Sequence, residues 1–333
     1  MRAVAVMGAG SWGTAFAMIL ADAGSSVRLW CRRPELARAV NETRTNPDYL
    51  PGVELPAQIE ATSNAQEALA GAELVVLAIP SQRLADTMAP WAGAIPSDAV
   101  VVSLAKGIEL STQRRMSEVI EQAGGVAHER IAVVTGPNLS AEIAARQPAA
   151  AVVASSDART AELVAECVAT PYFRPYTDDD VIGAELGGAT KNVVAVVVGM
   201  AEGLGFGDNT KATLITRGLA ETVRLGVALG AHPRTFQGLA GVGDLIATCM
   251  STLSRNHSVG VKLGQGHSIE QIVREMRQTA EGVKTSEAIL ALAQRHGVDV
   301  PLVEAVVAVV HDGHHPALIA DALMARELKA EKV

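Results

Sequence analysis

One glycine pattern constrains this chain more than any other stretch. Arg2 to Met7 is a short apolar run rich in valine and alanine; then come Gly8-Ala9-Gly10-Ser11-Trp12-Gly13-Thr14-Ala15 and a helical stretch to about Ala23, closed by Gly24. This is G-x-G-x-x-G set between a strand and a helix, the context in which the spacing has mechanical meaning. Gly8 makes the tight turn, Gly10 lets a pyrophosphate approach the backbone, and Gly13 lets helix and strand pack closely. The helix N-terminus adds free N–H groups and a partial positive charge. A dinucleotide-binding unit is the expectation.

The rest of the first half repeats strand, turn and helix. Ser26 to Cys31 is the next strand, ending where an acidic residue usually bonds the ribose 2'-hydroxyl of NAD. Here the chain reads Cys31-Arg32-Arg33-Pro34 instead, so two guanidiniums stand where a carboxylate would repel a 2'-phosphate. A solvated basic turn at a helix start, with Pro34 at the first helical position, is the other reading. The residues lean towards a cofactor that is NADPH at least as well as NADH. Further strands are expected at Glu73 to Ile79, Ala99 to Leu104 and Ile131 to Thr135, stopped by Pro80, by Ala105-Lys106-Gly107 and by Gly136-Pro137-Asn138. Runs at Ala149 to Ala154 and Tyr172 to Tyr176, with Asp157 to Thr170 as a helix between them, complete a mainly parallel sheet buried on both faces. Ligands sit beyond the C-terminal ends of such strands, which puts Lys106 and Asn138 on the edge that carries the glycine turn. A lone loop lysine is normally just solvated.

At 333 residues the chain exceeds what one core usually organises, so two domains are expected, 1–180 and 181–333. With 49% hydrophobic and 19% charged residues it has material for packed cores. A formal charge of -8 argues against generalised binding to nucleic acid or to an anionic membrane. Cys31, Cys167 and Cys249 are widely spaced, with no CxxC pair, which fits a reducing, cytoplasmic setting. The apolar N-terminus is broken by its patterned glycines, unlike a secretion signal, and no uninterrupted apolar stretch reaches the roughly 18 to 20 residues of a membrane span.

After Thr177 the chain turns helical, and Asp178-Asp179-Asp180 suits a helix N-terminus better than a metal. Lys191-Asn192-Val193-Val194-Ala195-Val196-Val197-Val198-Gly199 then sets an ammonium at the head of an apolar segment. In a buried helix Lys191 is paired or pushed towards neutrality, and a lysine so poised passes protons; on a surface it snorkels along its methylene stem. Asp244 lies in Gly241-Val242-Gly243-Asp244-Leu245, either as a chemical partner or as a turn former or cap. Ser254-Arg255-Asn256-His257 opens a short helix ending around Gly264, where a guanidinium, an amide and backbone N–H groups suit a phosphate or carboxylate. Thr279 to Thr285 reads as a loop into another helix, with Glu281 accepting from ribose hydroxyls or merely capping. His311, His314 and His315 read as an exposed turn around Gly313 and Pro316, and no metal site is expected.

Six motifs now stand in a fixed order: the glycine turn, Ser103-Leu104-Ala105-Lys106-Gly107, Gly136-Pro137-Asn138, Ala189-Thr190-Lys191-Asn192, Gly241 to Leu245, and Ser254-Arg255-Asn256. With Asn46-Pro47 and Tyr49-Leu50-Pro51, the chain to about residue 290 resembles the NAD(P)-dependent sn-glycerol-3-phosphate dehydrogenases. The resemblance implies a Rossmann-type domain followed by an all-helical domain, reversible reduction of dihydroxyacetone phosphate to sn-glycerol 3-phosphate with NADP or NAD as cofactor, and a supply of glycerol phosphate for phospholipids. It implies that Lys191 is the proton donor and acceptor, with Lys106 and Asp244 as its companions. Substrate contacts fall to Lys106, Gly136, Asn138, Lys191, Asp244, Ser254, Arg255 and Asn256. Cofactor contacts fall to Gly8, Gly10, Ser11, Trp12, Gly13, Arg32, Arg33, Tyr49, Lys106, Ser140, Arg255, Thr279 and Glu281. Asn138 departs from the serine or threonine of many relatives, which puts one contact in doubt and leaves the class intact. The expected partners are small phosphates, with no nucleic acid, no stable membrane insertion, and a homodimer as a possible assembly. A related beta-hydroxyacid dehydrogenase, or a non-catalytic NADPH sensor, is the rival; neither gives Ser254-Arg255-Asn256 and the Lys191 and Asp244 pairing a joint task.

Overall fold

The computed structural model describes residues 2–275 and 281–319. The chain to Lys106, with Met116–Ala184, forms one unit; Gly107–Arg115, with the chain from Glu185 onward, forms a second.

The first unit is built on β1 (Ala3–Met7), β2 (Ser26–Trp30), β3 (Thr45–Asn46), β4 (Leu50–Glu54), β5 (Ile59–Thr62), β6 (Leu74–Leu77), β7 (Val100–Ser103), β8 (Ile131–Thr135), β9 (Ala149–Ala154) and β10 (Phe173–Asp178). Eight of these make one sheet in the order β10-β9-β8-β7-β6-β1-β2-β5, and β3 and β4 pair as a small hairpin. Every residue of β6, β7 and β8 is buried, as continuous apolar strands covered on both faces require. Alternation then divides the core: Val4, Val6, Leu74 and Val76 pack on one face with Phe16 and Ile19, while Ala5, Met7, Val75 and Leu77 pack on the other with Met88 and Trp91. From β1 the chain winds outward through β2 to β5, then returns to the far side of β1 with β6. That reversal is the topological switch point, where a crevice opens beyond the strand ends. The glycine turn leaves β1 there.

Two features differ from expectation. The β8–β9 pairing is antiparallel, with β9 and β10 parallel to each other, so the last two strands run against the rest. The link from β8 to β9 holds only the five-residue helix Ser140–Ala144, too short to carry the chain back for a parallel crossover. The edge strand Ile59–Thr62 is the other; it pairs with β2 alone, and its polar Glu60 broke the apolar run that would have announced it.

Among the described residues the second unit is helical apart from an isolated bridge between Ile108 and Arg115. That segment belongs with the second unit, outside an undivided 1–180, and the guanidinium of Arg115 lies 2.7 Å from the buried carboxylate of Glu185. Its central element is the helix Val181–Gly203, begun by Asp180, whose Oδ1 accepts from Gly183 N at 2.8 Å. It is the described helix long and apolar enough to cross a membrane, yet 94% of that apolar window is buried inside the protein. Its valines are poor helix formers, by roughly half a kcal/mol each, but burying each one contributes about 1.5–3 kcal/mol. Burial wins. The helix meets Arg255–Gly264 through glycines on both sides, Gly199 and Gly203 facing Gly260 and Gly264, where any Cβ would overlap the opposing backbone.

Candidate functional site

At the glycine turn, each of three glycines does a different job. Gly8 has φ +127° and lies against the Ala78 carbonyl, just beyond β6, where a Cβ would overlap. Gly13 faces the Gly8 carbonyl and the Ala78 side chain, where a Cβ would again overlap. A Cβ on Gly10 would meet nothing within 4 Å. The turn is thus filled by protein on two sides and open at the third. Gly10 also caps the helix Ser11–Asp22 without any side-chain bond to its N–H groups, which leaves them to a ligand. Beside it the Trp12 indole N–H is buried with no partner, its ring packed edge-on against Phe16 at 5.4 Å. An open glycine, uncapped helix N–H groups and an orphaned indole N–H fit a dinucleotide pyrophosphate.

A strap formed by the β3–β4 hairpin fixes this turn. Asn46 is fully buried, and its Nδ2 donates to the Ala9 carbonyl at 3.0 Å and to Thr14 Oγ1 at 2.8 Å. Because a trans peptide directs its C=O and N–H oppositely, an Ala9 carbonyl held by Asn46 turns the Gly10 N–H away from it. Asn46 Oδ1 also accepts from Tyr49 N at 3.3 Å, and Ser11 Oγ donates to the Tyr49 carbonyl at 2.9 Å. Ser11 and Tyr49 therefore meet through the backbone of the strap. In the turn between Asn46 and Tyr49, Asp48 forms an ion pair with Arg33, and that bond raises the Arg33 guanidinium above its ordinary value. Arg32 is exposed.

Further along the same strand-end edge, Lys106 follows β7 and donates its Nζ to the Gly136 carbonyl at 2.9 Å, tying the β7 loop to the β8 loop. Gly136 has φ +141°, a conformation that favours glycine. Both ends of the Asn138 amide are buried without a partner, an expensive state for a polar group unless a ligand meets it. Ser140 begins the helix Ser140–Ala144.

In the second unit, the lysine expected to be either poised or snorkelling is buried. Side-chain exposures are 8% for Lys191 and 1% for Asp244, and the two form an ion pair. Lys191 Nζ also donates to Thr248 Oγ1 at 2.9 Å, and that hydroxyl donates to the Asp244 backbone carbonyl at 2.6 Å. The local geometry follows from spacing. Gly187 packs directly on the Ala240 carbonyl; four residues on from each lie Lys191 and Asp244, the next rung of the same contact. Asp244 is delivered by a π-helical turn, Leu239–Gly243, that runs into the helix Asp244–Met250, and Thr248 follows one turn later. Asp244 is thus a partner as well as a helix start. Nearby Cys249 is pushed up to about 12 by burial, so its thiol stays neutral.

Next to Lys191, Asn192 Oδ1 accepts from Asn256 Nδ2 at 2.9 Å, and Asn256 Oδ1 accepts from Gly282 N at 3.0 Å. Asn256 thereby ties three helices together. Ser254 caps Arg255–Gly264, its Oγ accepting from His257 N at 3.3 Å, with Arg255 exposed at the first helical position. Glu281 is the first residue of the helix Glu281–Arg295, where a loop was expected, and Thr279 lies outside the described residues. Asn192, Thr248 and the role of Asn46 escaped sequence reasoning. Thr248 carried one usable signal, its place four residues beyond Asp244.

The NAD-dependent glycerol-3-phosphate dehydrogenase N-terminus family matches residues 3–161, and the corresponding C-terminus family matches residues 180–321. Over 328 residues the chain is 59% identical to the glycerol-3-phosphate dehydrogenase [NAD(P)+] of Streptomyces coelicolor, covering 98% of each chain. It is 56% identical over 333 residues to that of Thermobifida fusca, covering 100% of this chain and 99% of the relative. Among solved structures, glycerol-3-phosphate dehydrogenase from Coxiella burnetii superposes with a TM-score of 0.92 at 33% identity, covering 97% of this chain and 98% of the other. With two domains of the right kinds, an open glycine turn and a buried lysine–aspartate pair, the chain belongs to the NAD-dependent glycerol-3-phosphate dehydrogenase family.

Proposed function

We infer that this protein reversibly reduces dihydroxyacetone phosphate to sn-glycerol 3-phosphate with NADPH or NADH, supplying glycerol phosphate for phospholipids. The buried Lys191–Asp244 pair carries this reading. When bound, the nicotinamide cofactor supplies a hydride to the substrate's carbonyl carbon. Negative charge then gathers on the carbonyl oxygen, and Lys191 Nζ stabilises it and gives it a proton; in the reverse direction the amine takes the proton back. Asp244 keeps the ammonium paired in a site where an isolated charge would be costly. It also aims the amine, with Thr248 Oγ1 as the second restraint. Arg255, with the first turn of its helix and Ser254, takes the substrate phosphate, whose binding energy fixes the reacting carbon in place. Lys106, Gly136 and Asn138 contribute the remaining substrate contacts. Asn256 acts on this reading through Asn192, whose position it sets.

For the cofactor, the Gly10 N–H, Ser11, Trp12 and Gly13 receive the pyrophosphate, and Arg32 and Arg33 face the ribose 2' position. Lys106, Tyr49, Ser140, Arg255, Thr279 and Glu281 complete the proposed contacts. The same reading takes small phosphates as the partners, with no nucleic acid or membrane insertion, a cytoplasmic setting and a homodimer as the assembly. Light scattering on the eluted protein reports the mass, and a monomer at working concentration removes the dimer.

The deciding experiment mixes pure protein with NADPH and either dihydroxyacetone phosphate or a 3-oxo acid, following loss of nicotinamide absorbance. Oxidation is expected with the phosphate; oxidation only with the 3-oxo acid would move the protein to a beta-hydroxyacid dehydrogenase. Replacing Arg32 and Arg33 by alanine is expected to weaken NADPH more than NADH, and equal weakening would count against the 2'-phosphate assignment.

A further inference from the structure

The end of β2 offers two arginines and no carboxylate, which alone would favour a 2'-phosphorylated cofactor. The fold brings a carboxylate there from elsewhere in the sequence. Asp48 sits in the turn between β3 and β4 and pairs with Arg33. An exposed ion pair between two free side chains usually matters little, since holding both costs side-chain entropy. This one is better fixed. The strap that carries Asp48 is anchored on both sides of it: Asn46 is fully buried and bonded to Ala9 and Thr14, and the Tyr49 backbone is bonded to Asn46 and Ser11. Asp48 has a short side chain with few rotamers. Arg33 has extended backbone, φ -100° and ψ 122°, as a residue before proline must, and it directly precedes the helix Pro34–Thr43.

We propose that Asp48 is the residue that sets the balance between NADPH and NADH, acting at the ribose 2' position opposite Arg33. This rests on the assignment of Arg33 to that position. A 2'-phosphate carries nearly two negative charges at neutral pH; to reach Arg33 it must displace the Asp48 carboxylate or lie beside it, and both reduce its affinity. A 2'-hydroxyl has the opposite preference, because it donates to a carboxylate as in NAD-specific relatives of this fold. Asp48 therefore lets one site accept both cofactors: Arg33 and Arg32 attract the phosphate, while Asp48 opposes it and accepts from the hydroxyl.

The test is equilibrium binding of NADPH and of NADH, by calorimetry or quenching of protein fluorescence, to the wild type and to Asp48→Asn, Asp48→Ala and Arg33→Ala. Asp48→Asn is expected to tighten NADPH about fivefold, the upper end for one exposed pair, and to leave NADH unchanged or weaker. Asp48→Ala gives the same tightening of NADPH and weakens NADH. Because Asp48 is half exposed, thermal melting of both variants should match the wild type, separating selectivity from folding. If both Asp48 variants leave the NADPH to NADH affinity ratio within twofold while Arg33→Ala weakens NADPH selectively, the role of Asp48 is overturned and the Arg33 assignment stands. If Arg33→Ala changes neither cofactor selectively, the assignment beneath it fails instead.

Discussion

Two pairs of a basic and an acidic side chain in this molecule share their chemistry and differ in their surroundings. Lys191 and Asp244 are 8% and 1% exposed, whereas Arg33 and Asp48 are 43% and 47% exposed. Two unit charges 4 Å apart interact by about 1 kcal/mol in water and about 4 kcal/mol at the dielectric typical of sites near a protein surface. Burial therefore decides what each pair is for. The buried pair cannot be parted without stranding a charge, so it suits a group that must hold one position while it gives and takes back a proton. The exposed pair stays within reach of a ligand, so that Arg33 can change partners at a modest cost, and it suits a choice between two ligands.

The sharpest way to break this contrast is to remove one member of the buried pair. Lys191→Ala is expected to lower kcat by at least about a hundredfold, the lower end for lost acid catalysis, while NADPH affinity measured by calorimetry survives. Near-normal turnover would take Lys191 out of the chemistry. Asp244→Ala leaves an ammonium buried alone and should cost about 3–5 kcal/mol of stability, read as a shift in the urea midpoint; a shift no larger than a surface substitution gives would mean that the pair is wetter than its burial indicates.

A smaller effect refines the same pair. Thr248→Val keeps the shape but removes the acceptor 2.9 Å from Lys191 Nζ. A hydrogen bond to a charged group contributes about 1.5–3 kcal/mol, so kcat should fall by about tenfold or more, and Thr248→Ser should restore most of it. If valine and serine behave alike, the hydroxyl does not restrain the amine.

Only part of this contrast was legible in the sequence, for reasons that differ between the pairs. The glycine turn was visible because its spacing is local: Gly8, Gly10 and Gly13 act on the same few peptide groups. The lysine helix was visible as a candidate because an ammonium at the head of a valine run is either paired in the interior or snorkels to the surface, and the fold buries it. That Lys191 meets Asp244 was given by resemblance, and its physical cause, the seating of Gly187 on the Ala240 carbonyl, is a non-local contact that no window of sequence contains. Asp48 was invisible for a related reason. It is an unremarkable acid in a turn until the buried amide of Asn46 fixes the hairpin against the glycine turn. Strand direction was equally hidden, since Ala149–Ala154 reads as a buried strand whichever way it runs. So was the helix crossing: the spacings Gly199 to Gly203 and Gly260 to Gly264 can be seen singly, but only the fold pairs them.

That crossing supports the buried side of the comparison and supplies the next test. Val196–Gly199 and Gly260 touch backbone to backbone, and the same two helices carry the Asn192–Asn256 hydrogen bond beside Lys191. Gly260→Ala would force the helices apart at an overpacking cost of about 1–3 kcal/mol, seen as a lowered melting temperature. Because Asn192 is displaced with its helix, kcat should fall as well, while cofactor affinity, which rests mainly on the glycine turn and draws only Arg255 from the displaced helix, should fall less. A loss of stability with unchanged kcat would show that the crossing supports the fold without setting the position of the lysine.

The smallest expected effect falls on the exposed pair, and salt is the probe that separates the two environments. The Debye length is about 10 Å at 0.1 M ionic strength and about 3 Å at 1 M. Charges at 43% and 47% exposure lie within reach of that screening, whereas the buried pair is largely shielded from it. Raising the salt should therefore shrink the difference in NADPH affinity between wild type and Asp48→Asn from about fivefold towards parity, and NADPH itself should weaken more than NADH. The kcat deficit of Lys191→Ala, measured at saturating substrates, should not change across the same series. A salt-independent Asp48 effect would mean that the carboxylate works through a fixed, desolvated contact with the ribose, and the two pairs would then differ in position but not in kind.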